Sequence, residues 1–139
     1  PGPEPTSVPN MWRSLGEAML LKGDFEQAEL HLSEAARIDP NSATAHYLLA
    51  GALAQRWKLE QALTHYNKAV AIDPKIDTSA KLHDQFAMNY AKMRRFREAV
   101  VSAEKALNLA LMAQDQPLAQ EITKKLEIYK RSAGPLLKR

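Results

Sequence analysis

The stretch "EQAELHLSEAARIDP", residues 26–40, returns as "EQALTHYNKAVAIDP" at residues 60–74, an interval of 34 residues. No other feature constrains the fold as much. A fixed period of this length marks one supersecondary unit copied along the chain, each copy burying an apolar face against the next. Pro40 and Pro74 close the two phrases, and a helix interior cannot continue through proline.

Aligned on those prolines, the copies share further positions. The first reads Trp12-x-x-Leu15-Gly16-x-x-Met19, then Ala28-x-x-x-Leu32-x-x-Ala35, then Pro40. The second reads His46-x-x-Leu49-Ala50-x-x-Leu53, then Ala62-x-x-x-Tyr66-x-x-Ala69, then Pro74. A third follows a three-residue insertion as His83-x-x-Phe86-Ala87-x-x-Tyr90, then Ala99-x-x-x-Ala103-x-x-Ala106, with Leu111 in place of its closing proline. Apolar residues three and four apart predict amphipathic helices, two per copy. Small residues at Gly16, Ala28, Ala50, Ala62, Ala87 and Ala99 allow paired helices to approach to about 8–10 Å. Asp24 with Gln27 forms a capping-box pattern; Asn41 or Ser42 can cap the next helix, and Asp77, Thr78 or Ser79 the one after. The insertion lengthens either a helix or the loop before it.

These residues resemble the tetratricopeptide repeat family over roughly residues 9–111. Trp57 and Arg94 stand where that family's turn usually has glycine, and Met19 where it usually has tyrosine. The resemblance implies an all-α, right-handed superhelical α-solenoid of helix-turn-helix repeats with about seven helices. The expected organisation is a proline-rich linker or tail over 1–8, repeats over 9–42, 43–76 and 77–113, a capping helix over 114–133 and a tail over 134–139. The last helix follows from Leu118, Ile122, Leu126 and Tyr129, an apolar stripe that starts behind Pro117 with Asp115 or Gln116 as cap and stops at Gly134-Pro135. A solenoid needs such an end piece, with one apolar and one polar face.

Charge and composition narrow the function classes. No window approaches the roughly 18 apolar residues of a membrane span. The absence of cysteine excludes disulfides, thiolate metal sites and cysteine nucleophiles. A chain that starts on proline, without a signal-peptide pattern, reads as a fragment or a processed product. Residues 1–74 carry six Lys/Arg against nine Asp/Glu, and residues 75–139 thirteen against seven, a mild polarity short of a nucleic-acid-binding run. Repeat register accounts for all four histidines: His46 and His83 share the position of Trp12, and His31 and His65 are equivalent. No catalytic residue, metal ligand or cofactor is expected, and none of the phosphate-binding, zinc or nucleophile motifs is present.

A binding surface remains. The resemblance implies that the first helix of each repeat lines a concave groove for a peptide or partner protein. Carried over by position, the lining is Asn10, Arg13, Ser14, Glu17 and Leu21; then Thr44, Tyr47, Leu48, Gly51 and Gln55; then Lys81, Asp84, Gln85, Met88 and Lys92. Tyr47, Leu48 and Met88 would be apolar anchors within a charged rim. Gly51 either admits a partner backbone or relieves helix packing. Repeat proteins that clamp the acidic tails of heat-shock chaperones place two lysines, two asparagines and an arginine on these helices. Here Arg13 and Lys81 fit two cationic places, but Glu17 and Leu48 replace the asparagines and Gln85 the arginine, so a chaperone-tail clamp is not expected. "PLAQEITKKLEIYK" is similar to the closing helix of repeat domains attached to bacterial multi-span membrane proteins, which implies a tethered, periplasmic setting; a cytoplasmic one stays open. Self-association through the C-terminal helix is an alternative. Nucleic-acid or anionic-surface binding through Lys92, Arg94, Arg95 and Arg97 lacks an aromatic platform and is not the expected function.

Overall fold

Between one repeat phrase and the next the chain has room for two helices and two turns, and that is how it folds. The computed structural model describes residues 8–134. Regular structure among them consists of seven α-helices and a short 3₁₀ turn, with no strand. The fold is an all-α solenoid of helical repeats. Its chain divides into two compact units, Pro1–Asp77 and Thr78–Arg139.

In the first unit, α1 (Val8–Lys22) and α2 (Phe25–Ile38) form one hairpin and α3 (Ala43–Gln55) and α4 (Leu59–Ile72) another, with α2 packed on α3. Gly16 makes the first hairpin possible, because a Cβ there would lie 2.4 Å from Leu32 Cγ. Leu32, Leu49, Ala28, Ala50 and Ala62 are buried. Asp24 Oδ1 accepts a hydrogen bond from Gln27 N (3.2 Å), and Ser42 Oγ accepts one from Ala45 N (3.1 Å), which caps α2 and α3. Gly23 turns α1 into α2 at φ +81°; Trp57 turns α3 into α4 in the same left-handed region, at φ +62°. Glu29 of α2 reaches this second corner, accepting from Arg56 Nη1 (2.7 Å) and Lys58 Nζ (3.1 Å). The three inserted residues lengthen the connection after α4, which holds the 3₁₀ turn Pro74–Ile76.

The second unit contains α5 (Ala80–Lys92), α6 (Phe96–Met112) and α7 (Gln116–Ala133). Ser79 caps α5 through Leu82 N at 3.1 Å. Without a closing proline α6 runs for 17 residues, where α2 and α4 have 14 each. Arg94 and Gln114 take the two turns at φ +60° and +58°. Asp115 caps α7 through Leu118 N (3.2 Å), with Pro117 in the first turn, and Gly134 ends the helix at φ +89°. Ala119, Ile122, Leu126 and Tyr129 bury one face of α7 in a cluster with Ala99, Ala103 and Ala106 of α6.

Val8, expected with the linker, begins α1, and Pro9 falls in that helix's first turn, where proline is tolerated. The remainder of the proline-rich segment, residues 1–7, and the tail from residue 135 lie outside the described residues. No helix among the described residues is long and apolar enough to cross a membrane.

Candidate partner-binding surface

On the first unit the candidate residues come from α1 and α3, which touch. Arg13 and Glu17, one turn apart on α1, form an ion pair at 3.7 Å, and Arg13 Nε is buried without a hydrogen-bond acceptor. Leu21 is 91% exposed at the end of the same helix. On α3, Thr44 and Gln55 are exposed and bracket the half-buried Leu48 and Gly51, a stripe at helical spacing. A Cβ on Gly51 would meet no atom within 4 Å, so this glycine relieves no packing and leaves backbone open at mid-helix. Tyr47 is already engaged: its hydroxyl donates to Asp77 Oδ1 (3.2 Å), while Tyr66 donates to Asp77 Oδ2 (2.5 Å). The two tyrosine rings lie 6.3 Å apart. Tyr47 thus helps hold the residue that ends the unit, a contact its sequence position does not announce.

On α5 of the second unit, Lys81 and Lys92 are exposed, and Met88 is half-buried. Asp84 and Gln85, expected to face a partner, are 8% and 6% exposed. Lys125 of α7 accounts for Asp84: its Nζ donates to Oδ2 at 3.0 Å and lies 3.4 Å from Met88 Sδ. The closing helix therefore adds a lysine to the α5 face, which the repeat register could not reveal because α7 lies beyond the last repeat. Tyr129 is raised above the ordinary tyrosine range, by burial first and by the Asp84 charge second.

The histidines of the second repeat meet across the hairpin. His46 Nδ1 and His65 Nδ1 are 2.9 Å apart, the rings are stacked, and His46 Nε2 lies 2.8 Å from the Pro40 carbonyl oxygen. In the first repeat the same registers bring Trp12 and His31 to 5.5 Å between centroids. Sequence register equates positions within each column of repeats but is silent on the two columns facing one another. Among the described residues, no group of three or more His, Asp or Glu side chains is placed to hold a metal ion.

Residues 19–84 match the family model of the tetratricopeptide repeat. Over that segment the chain carries tetratricopeptide repeats. Solved structures share the repeat protein's fold at low sequence identity. The Yersinia enterocolitica type III secretion translocator chaperone SycD is 16% identical, with a TM-score of 0.71 over 96% of this chain and 100% of that one. PcrH in complex with the chaperone-binding region of PopD is 18% identical, with a TM-score of 0.69 over 87% and 90% of the two chains. The TPR2B domain of yeast Sti1, solved in an Hsp70 complex, is 19% identical, with a TM-score of 0.67 over 89% and 97%. No curated protein matches the repeat protein significantly in sequence.

Proposed function

We propose that this repeat protein is a protein-interaction module whose first helices receive a peptide or an extended segment of a partner protein. The observation that carries this reading is the stripe on α3, where Leu48 offers half-buried apolar surface beside the open backbone of Gly51. An apolar anchor with room for close backbone approach suits a bound segment, and the neighbouring Arg13 and Glu17 supply a polar margin. On the second unit, Lys81, Met88, Lys92 and Lys125 are the corresponding candidates, with Asp84 and Gln85 beneath them. The solved PcrH and Sti1 structures hold partners of this general kind, a segment of PopD and Hsp70, and lend support by analogy.

A clamp for acidic chaperone tails is not the mode we propose. Arg13 is engaged by Glu17 at 3.7 Å, so an incoming carboxylate would meet a like charge at that place. The apolar stripe Leu118–Tyr129 is largely buried within its own unit, so self-association through it is not the reading we propose.

Affinity capture from the source lysate tests the proposal, with wild type beside Leu48→Asp and Gly51→Phe. Circular dichroism and melting confirm that both variants fold. Partners held in the proposed way are lost from both. Retention of every captured partner by both variants would remove the α3 stripe from the binding surface.

A further inference from the structure

A cavity of about 590 Å³ opens on the first unit between α2, α3 and α4, lined by residues that include His46, His65, Lys68, Arg37 and Ser33 over an apolar floor of Ala36 and Leu49. It lies apart from the Leu48–Gly51 stripe and shares no residue with it. Its volume falls in the range of about 300–1,000 Å³ usual for small-molecule sites.

The hydrogen bonds fix the proton positions. A carbonyl can only accept, so His46 Nε2 donates to Pro40 O and carries the ring proton. In a neutral ring this leaves His46 Nδ1 as an acceptor. His65 Nδ1, at 2.9 Å, must then be the donor, and His65 Nε2 keeps its lone pair as the ring nitrogen free for a ligand. Adding a proton at His65 Nε2 disturbs neither bond: Nδ1 still donates to His46, and a second donor appears.

We propose that this cavity binds a small organic carboxylate, an apolar body on Ala36 and Leu49 with its charged end between His65 and Lys68. The charged groups acting on the site are consistent with an anion. Lys68 of α4 has no carboxylate partner among the described residues, while Arg37 of α2 is held by Glu34 at the exposed rim and is 70% exposed. The third column member is Ser102 in the last repeat, and the first repeat has Trp12 opposite His31, so the histidine pair belongs to the second repeat alone.

The empty site resists protonation: burial first, then the His46 and Lys68 charges, hold His65 below the ordinary histidine value. A bound carboxylate adds an opposite charge that favours the protonated ring and accepts the new Nε2–H. Binding is therefore coupled to proton uptake, and affinity rises as pH falls through the histidine range.

The test follows the His65 imidazole signals by NMR in the full chain, with benzoate as probe, benzamide as its neutral counterpart and inorganic phosphate as an anion without an apolar body. The proposal expects saturable shifts with benzoate, an upward move of the His65 titration midpoint, and several-fold tighter binding one pH unit below the ordinary value of about 6.5 than one unit above. Lys68→Met, an exposed change that leaves the fold intact, weakens benzoate several-fold. Unchanged His65 signals at high benzoate, or equal binding of benzamide, would overturn the site. Phosphate binding as tightly as benzoate would overturn the apolar half of the assignment.

Discussion

Gly16 and Leu32 compete for one volume: the leucine's Cγ occupies the space a side chain on residue 16 would need, 2.4 Å from where its Cβ would stand. Both are buried, so neither can move into solvent.

Gly16→Ala therefore destabilises by about 1–3 kcal/mol in urea or thermal unfolding. Combining it with Leu32→Ala gives a loss smaller than the sum of the singles, by about 1 kcal/mol or more, because the alanine then has room. Gly51→Ala does the opposite. With nothing within 4 Å, the substitution gains helix propensity and raises stability by about 0.5–1 kcal/mol.

The left-handed corners predict a pair of opposite effects. Gln114→Gly, at φ +58° and exposed, relieves backbone strain of about 1 kcal/mol but adds freedom to the unfolded chain, for a net gain of about 0.5 kcal/mol. Gly23→Ala, at φ +81°, costs about 1 kcal/mol although its Cβ would have open space. Equal melting temperatures for wild type and both variants would show that these corners relax to other conformations.

Lys125 and Asp84 are coupled across the second unit. Lys125→Ala leaves a carboxylate that is 11% exposed at its side chain without its ammonium partner, and stability falls by about 1–3 kcal/mol. Asp84→Ala alone costs less, since the lysine is 31% exposed and can reach water. The double variant recovers part of the Lys125→Ala loss, read as a coupling energy in a double-mutant cycle.

His65 makes stability depend on pH. Its folded value is depressed by burial and by the His46 and Lys68 charges, so the unfolded chain takes up this proton more readily. The stabilisation is fully present above the unfolded value of about 6.5 and is lost as pH falls from there through the folded value. His65→Asn flattens the wild-type decline in chemical denaturation between about pH 7 and about pH 5. Glu34, lowered first by its Arg37 hydrogen bond, acts in a separate window, below the carboxylate value of 4.5.

The hairpins were legible because a 34-residue period with alternating small and large residues has few other solutions, and Ser42, Ser79 and Asp115 each fell among the residues read as caps. The three non-glycine corners were harder to read. Helix packing on both sides forces Trp57, Arg94 and Gln114 into φ values their side chains disfavour, so local preference points the wrong way. The surface was read less completely than the fold. Tyr47 with Asp77, His46 with His65 and Lys125 with Asp84 are separated by 30, 19 and 41 residues, and only the packed helices decide that they meet. Gly51 was readable as a glycine but not as an open one, since that depends on what its neighbours leave empty.

Glu29 gives the copies an order. It sits on the first repeat yet grips Arg56 and Lys58 at the corner of the second, while its counterparts in the next two repeats are Leu63 and Val100, which can grip nothing charged. Near-identical modules invite misassembly, with one copy docking where another belongs. A single acid in one module and two cations in the next give that junction a lock and key, so the order of the hairpins is encoded by polarity where their greasy faces would allow a shuffle.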